Sequence, residues 1–331
     1  MIHPIPPGTR DILPDEMREL RSLHLAMIDV FERHGYGEVS TPAIEYDEVL
    51  ARGDGRTADS AYRFFDERGD LLALRSDMTV PIARLVASRY ASAEPPLRLC
   101  YLANAFRAVR PQRGQMREFA QAGVELIGAP APEGTVEVVE VLEATLEAAG
   151  LNRAVIGLGD ADLYRQLLTE LGVEGEARDS LLERLAGHDL VGLDVELSEL
   201  EGIDDDRIAT CIALSQLRGG REVLEEARSL GGAAVERATA RLDETLGALE
   251  ARGVADRVQV DLGLLRHLGY YSGAILEVYD PALGHVLGGG GRYDGLLKRF
   301  GLDLPAAGFA LYLERVHVAQ MEEEGRGGDP S

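Results

Sequence analysis

The sequence predicts an α+β fold, a mainly antiparallel sheet flanked by helices, with a small helical insertion. Three observations predict it: strand pairs joined by short polar turns on both sides of the chain's middle, a middle segment that reads as helix throughout, and no regular alternation of strand with helix of the kind that builds a doubly wound parallel sheet. With 331 residues, 45% of them hydrophobic, the chain can bury one large core, or one core and a smaller satellite.

The elements follow in order. Pro14 and Asp15 read as a helix start, and Leu20, Leu23, Met27, Val30 and Phe31 recur at helical spacing until Gly35 offers a stop. The segment EVSTPAIEY is extended, and YRFFDERGDLLALR reads as two strands around a turn at Glu67 to Asp70. Strands at Leu97 to Arg107 and Phe119 to Ile127 are joined by the polar loop AVRPQRGQM. From Thr135 a capped helix carries Val138, Val141, Leu142 and Leu146 on one face and ends at Gly150, and the strand AVIGLGD and another helix come next. Leu, Ala, Glu and Arg then dominate to about Gly253. Strand patterns return in VQVDLGLL and YSGAILEVY, followed by GGGGRYDGLLKRFG and the apolar segment PAAGFALYLERVHVAQ. The expected organisation is a core domain of residues 1–176 and 254–320, a helical insertion of 177–253, and a disordered tail of 321–331.

Composition narrows the function. Lys and Arg total 34 against 57 Asp and Glu, a formal net charge of −23. Nucleic-acid binders draw much of their affinity from clustered Lys and Arg, so tRNA and DNA are disfavoured as partners, although net charge does not forbid a local basic groove. No run of eighteen apolar residues suggests a membrane span, and the opening MIHPIPPGTRDILPDE lacks the basic and apolar regions of a secretory signal, so the expected compartment is the cytoplasm. Cys100 and Cys211 sit in apolar stretches without metal-ligand spacing and read as buried thiols.

Three constellations carry possible chemistry. The segment FRAVRPQRGQMREFAQAGVELIG places Arg107, Arg110, Arg113 and Arg117 beside strands, where an arginine fork suits a carboxylate or a phosphate. On its second strand Gln121, Gly123 and Glu125 fall two apart and share a face, so the amide and the carboxylate can converge on a ligand bearing an ammonium or an imidazole N–H. The alternative is polar residues facing solvent. Gly288 to Gly291 lacks the Lys-Ser/Thr ending of a phosphate loop and reads equally as a tight turn or close backbone packing, with Arg315 downstream able to border a pocket. Tyr270 and Tyr271, after Arg266, are either a pocket wall or a core aromatic pair.

Taken in order, these pieces resemble the catalytic core of histidyl-tRNA synthetase, a class II aminoacyl-tRNA synthetase fold. GTRDILPDE resembles the entry segment, the long helix with EVSTPAIEY the dimer-forming first motif, and LRSDMT the histidine-site loop usually written LRPEGT. FRAVRPQRGQMREFAQAGVELIG resembles the second motif, LLRHLGYYSG the histidine-specific stretch RGLDYY, and GGGGRYDGL with GFALYLER the last segment and third motif. The resemblance spans roughly Pro4 to Leu171 and Val258 to Ala319. It implies that Asp77 and Thr79 meet the amino group of bound histidine, that Gln121 and Glu125 take its polar groups, that Tyr270 and Tyr271 surround the imidazole, and that Arg107 and Arg266 lie near the carboxylate or the α-phosphate.

The departures from the family's pattern imply a changed role. Val109 stands where a glutamate reads adenine, Gln115 where a basic residue is expected near the phosphates, Tyr312 where a small residue lets ATP approach the backbone, and His267 and Gly269 where Gly and Asp are usual. The chain also stops soon after the third motif, where a separate anticodon-binding domain would need on the order of a hundred residues. LRSDMT is nearer to the LRPDMT of a paralogous family, the regulatory subunits of ATP phosphoribosyltransferase. That resemblance implies a histidine-binding, non-catalytic chain without catalytic residue, cofactor or metal. It further implies a homodimer within a hetero-oligomer, a short-form ATP phosphoribosyltransferase catalytic subunit as partner, and feedback by L-histidine on the first step of histidine biosynthesis. A truncated synthetase that still forms histidyl-adenylate is the competing expectation, favoured by Arg107, Arg266 and Arg315.

Overall fold

The computed structural model describes residues 5–53, 61–108, 116–266, 269–281 and 283–325. Helix α1 (Pro14–Arg33) opens with a proline whose missing N–H is harmless in a first turn, and it carries Asp15 and Glu16 at its positive end and Arg33 at its negative end. Leu20, Leu23, Met27, Val30 and Phe31 are buried along it, as their spacing predicts. Strands β1 (Gly37–Glu38) and β2 (Ile44–Tyr46), helix α2 (Asp47–Ala51), and strands β3 (Arg63–Phe65) and β4 (Leu71–Leu74) follow. The β3–β4 turn is closed by Asp66, whose carboxylate accepts the N–H groups of Arg68 and Asp70, each at 2.9 Å.

Helix α3 (Thr79–Arg89) leads into β5 (Leu97–Phe106) and β6 (Glu118–Ile127), an antiparallel pair in continuous register from Leu97 opposite Ile127 to Phe106 opposite Glu118. Helix α4 (Glu133–Ala148) begins two residues before Thr135. Pro132 is its N-cap, without a side-chain cap, so Thr135 is an interior residue rather than the expected cap, its hydroxyl accepting from Arg292 Nη1 at 3.4 Å. Strand β7 (Val155–Asp160) and helix α5 (Leu163–Glu170) come next. Five helices, α6 (Gly175–Ala186), α7 (Leu190–Ser198), α8 (Asp205–Gln216), α9 (Glu222–Leu230) and α10 (Ala233–Arg252), then fill the middle, with the two-residue strand β8 (Arg218–Gly219) between α8 and α9. The chain closes with β9 (Val258–Asp261), β10 (Ala274–Tyr279), β11 (Gly288–Arg292), β12 (Ala306–Tyr312) and α11 (Leu313–Glu323).

Two points are decided here. Of the two readings of the glycine run, the tight turn is wrong and close backbone packing holds: Gly288 to Gly291 form β11, paired on both sides with β10 and β12, and a Cβ at Gly288 or Gly290 would strike a carbonyl of β12. The C-terminal helix reaches Glu323, three residues into the expected tail, because the Glu323 carboxylate accepts the backbone N–H groups of Asn152 and Arg153, both at 3.0 Å. Residues 326–331 of that tail lie outside the described residues.

The large sheet has the order β1-β5-β6-β12-β11-β10-β7-β9-β8 and is antiparallel except where β1 meets β5 and β7 meets β9. Strand alternation divides its residues between two faces. Cys100, Val124, Leu126, Leu276 and Phe309 pack under α1, α4 and α11, in a cluster that continues through Leu181, Leu193, Leu214 and Leu242 of the middle helices. Leu99, Tyr101 and Ile275 turn to the other face, where α3 and a three-stranded sheet of order β2-β4-β3 lie over them. Both cysteines are buried and free. Among the described residues no helix is long and apolar enough to cross a membrane.

Phe31 of α1 is fully buried and meets Phe309 of the sheet edge-on, ring centroids 6.0 Å apart. Phe31→Ala is expected to lower unfolding stability by about 3–5 kcal/mol through the cavity it leaves, read as a shift in urea midpoint; a loss below about 1 kcal/mol would mean that the site collapses around the missing ring.

Candidate ligand-binding site

On the face of the sheet beneath α3 lies a narrow cavity of about 30 Å³, well below the roughly 300–1,000 Å³ common for occupied small-ligand sites, so its walls close on one another when no ligand is present. The eight residues that the resemblance places around bound histidine all line it: Asp77, Thr79, Arg107, Gln121, Glu125, Arg266, Tyr270 and Tyr271. Three parts of the fold deliver them. The strand pair β5–β6 supplies the floor with Gln121 and Glu125, the start of α3 supplies Asp77 and Thr79, and the connection from β9 to β10 supplies Arg266 and the two tyrosines.

The floor is shaped by residues without side chains. Gly308 lies opposite Glu125 in the β12–β6 register, and a Cβ there would overlap the Glu125 Oε2 and the Val124 carbonyl. Gly289 stands opposite Glu277, and a Cβ there would strike the Arg266 guanidinium. The glycines of β11 and β12 therefore let a carboxylate and a guanidinium lie flat on the sheet.

Glu125 is the most constrained polar group. It is buried, and it accepts from Thr79 Oγ1 at 2.8 Å and from the Tyr293 hydroxyl. Burial pushes its pKa up to about 8; the hydroxyl partners Tyr293 and Thr79 pull the other way without cancelling it, and the neighbouring Asp77 adds to the rise. Asp77 is buried too and caps the turn after it by accepting the Val80 N–H at 3.1 Å. Gln121 Oε1 is buried and accepts no hydrogen bond from the described residues. A buried amide oxygen in that state costs about 1–3 kcal/mol, which a ligand N–H recovers.

Aromatic rings and two cations complete the walls. Tyr270 and Tyr271 tilt against each other with centroids 5.0 Å apart, and Tyr270 meets Tyr293 edge-on at 5.9 Å. The Arg266 guanidinium stands 5.7 Å from the Tyr271 ring centre and 3.6 Å from the Glu277 carboxylate. Arg107 donates to the Ser76 carbonyl and to the Tyr312 hydroxyl, each at 3.3 Å, while its guanidinium covers Phe119 at 4.9 Å.

Tyr312 and Arg107 also line a second, outer groove, with Arg10, Met116, Phe119, His285 and Arg315. Arg315 thus borders this groove, not the inner cavity, with its guanidinium 4.5 Å from the Tyr312 ring centre and Nη1 donating to the Val286 carbonyl at 2.7 Å. Burial raises the pKa of the Tyr312 phenol, but Arg107, Arg266 and Arg315 together outweigh it and hold the group below its ordinary value. Of the other predicted residues, Arg117 holds Gly8 through its backbone N–H at 2.7 Å and does not line the inner cavity. Val109, Arg110, Arg113, Gln115 and His267 lie outside the described residues. Sequence reasoning missed Tyr101 and Tyr293 as wall residues. The signal for Tyr101 lay in the register, which sets this large ring opposite Gly123. Among the described residues no group of three or more His, Cys, Asp or Glu is placed to hold a metal ion.

Comparison with known proteins gives a consistent result. The family model described as histidyl-tRNA synthetase matches residues 8–316. The chain is 42% identical over 320 residues to the ATP phosphoribosyltransferase regulatory subunit of Moorella thermoacetica, covering 96% of this chain and 82% of that protein. It is also 42% identical over 330 residues to the protein of the same name from Symbiobacterium thermophilum, covering 98% and 82%. Among solved structures, an ATP phosphoribosyltransferase regulatory subunit/histidyl-tRNA synthetase from Bacillus halodurans superposes with a TM-score of 0.86 at 34% identity, covering 97% of this chain and 84% of that one. Histidyl-tRNA synthetase from Nostoc, at 23% identity and a TM-score of 0.81 over 99% and 77% of the two chains, shares the fold.

The raised pKa of Glu125 sets a sign for pH dependence. The fold favours the protonated carboxyl, so its contribution to stability is fully present below the ordinary value of 4.5 and is lost as pH rises through about 8. Glu125→Gln keeps the shape without titrating and is expected to gain stability relative to wild type between about pH 5 and pH 9. Urea midpoints across that range test this, and a constant difference would mean that Glu125 is ionised throughout.

Proposed function

The chain belongs to the histidyl-tRNA synthetase family, and from that premise we propose that it is a regulatory subunit of ATP phosphoribosyltransferase that binds L-histidine and performs no aminoacylation. Its partner is a short-form catalytic subunit, which it activates and through which histidine exerts feedback on the first step of histidine biosynthesis. On this reading it works in the cytoplasm as a homodimer within a hetero-oligomer, without tRNA.

The observation that carries the reading is the chemistry of the inner cavity. An amino acid with an ammonium, an imidazole N–H and a carboxylate needs acceptors at one end and cations at the other. Asp77, Glu125 and Gln121 supply the acceptors, Arg107 and Arg266 the cations, and Tyr270 and Tyr271 a ring-sized wall. The names of the relatives support the regulatory role. Tyr312 argues against activation of the amino acid, because its phenol fills the boundary between cavity and outer groove and already engages Arg107. Arg107, Arg266 and Arg315 are the residues a histidyl-adenylate-forming enzyme would use, and they keep that second reading in the test.

The test is reconstitution with a short catalytic subunit, assaying phosphoribosyl transfer with and without histidine. Activity that needs this chain and falls with histidine is expected; a chain that leaves the activity untouched and catalyses histidine-dependent ATP–pyrophosphate exchange would sink the proposal in favour of the synthetase reading.

A direct binding prediction follows. Glu125→Ala is expected to cost about 1–3 kcal/mol of histidine affinity in calorimetry. Because the ligand ammonium favours the ionised carboxylate, binding near pH 7 should also release protons from a group whose pKa in the free protein is about 8. Titration in buffers of different ionisation enthalpy reads that release, and its absence would place the ammonium away from Glu125.

A further inference from the structure

The wall that carries Tyr270 and Tyr271 is gripped from outside the cavity, and the grip leads to the longest helix of the middle segment. Arg165, in the first turn of α5, donates Nη1 to the Tyr271 carbonyl at 2.9 Å. Just ahead of it Asp162 accepts the Gly273 N–H at 3.1 Å, and the Ala161 N–H reaches the Gly273 carbonyl at 2.7 Å. Asp160, whose side chain is wholly buried at the end of β7, receives two bonds from Arg241 of α10, both at 2.8 Å, and also accepts the Asp162 N–H at 3.0 Å. One turn earlier on α10, Arg237 holds Gln166 at 2.7 Å and Glu170 at 2.8 Å, both on α5. An unbroken series of directional bonds thus runs from α10 through Asp160 and the start of α5 to the backbone of the tyrosine loop.

Two physical points give this series mechanical meaning. An arginine–carboxylate fork fixes orientation as well as distance, so Arg241 holds Asp160 in one pose in a way that a single bond would not. Behind the loop lies a cleft of about 370 Å³ bordered by Asp160, Arg241, Ser272 and Gly273, so loop and helix can shift against each other without the overpacking that a close-packed core would impose.

We propose that Arg165 and Arg241 are positioning residues, which set the tyrosine wall for its ligand and couple occupancy of the cavity to helix α10. The inference rests on the reading of the cavity as a histidine site. It assigns to the middle helices the task of carrying the ligand signal, with Arg165 acting on the loop and Arg241 on the strand end that anchors it.

The experiment uses the full chain. Histidine affinity is measured by calorimetry for wild type, Arg165→Gln, Arg241→Gln and Arg241→Lys, with a thermal melt of each, and amide exchange across residues 233–252 is followed in wild type with and without histidine. Weakening of about 5-fold or more is expected for Arg165→Gln and Arg241→Gln, with partial recovery in Arg241→Lys, together with slower exchange in α10 when histidine is bound. Arg165 is partly exposed, and its replacement removes one donor to a carbonyl and a long, part-exposed ion pair with Asp162 at 3.8 Å, so a melt close to wild type is expected for that variant. If wild type binds histidine but Arg165→Gln binds it equally well and exchange in α10 does not respond, the coupling is refuted while the histidine site stands. If wild type does not bind histidine, the proposed function fails and this inference falls with it.

Discussion

A carboxyl group placed under a sheet with only hydroxyl groups as partners governs the arrangement of the cavity. Glu125 reaches out of β6 to Thr79 at the start of α3 and to Tyr293 beyond β11, so three elements distant in sequence meet on one side chain. Burial of a full charge there would be severe, and the fold meets it by keeping the proton on the group and satisfying its oxygens. The same requirement explains the strand opposite: the carboxyl has room only because β12 offers a glycine at position 308. A cation brought into this setting finds an acceptor already oriented, and the proton is what has to leave.

The fold was legible wherever periodicity met punctuation. Helix α1, the β3–β4 hairpin and the β5–β6 pair follow from apolar spacing bounded by Pro, Gly and Asp, and the two-residue spacing of Gln121, Gly123 and Glu125 put them on the face where they are found. Local pattern failed where a partner strand decides. Four successive glycines have no strand preference of their own, yet β10 and β12 supply hydrogen bonds on both edges and make them a central strand. Tyr293 escaped for a related reason, since nothing in RYDG shows that its hydroxyl will meet a carboxylate 168 residues away. The end of α11 was misjudged because its charged residues read as tail, while the Glu323 carboxylate finds the backbone N–H groups ahead of β7.

The net charge of −23 describes the outside of the molecule and misdescribes its inside. Arg107, Arg266 and Arg315 converge around one phenol, and Tyr312 answers them by giving up part of its hold on its own proton. In this respect the phenol oxygen is a built-in acceptor for Arg107, while the guanidiniums keep their charge for an anion brought to the boundary. Specificity at such a boundary comes from what is already paired as much as from what is offered to a ligand.

The apolar cluster beneath α1, α4 and α11 runs without a break into the middle helices. Such continuity favours unfolding of the described chain as one cooperative unit, so a molecule held in the cavity protects distant helices as well as its own walls. At a concentration a hundredfold above its Kd, such a ligand adds about 2.7 kcal/mol to the stability of whatever unfolds with the site. Where proteases clear chains in proportion to their open fraction, any ligand of this cavity would then raise the abundance of the chain as its own supply rose, a slow response in turnover.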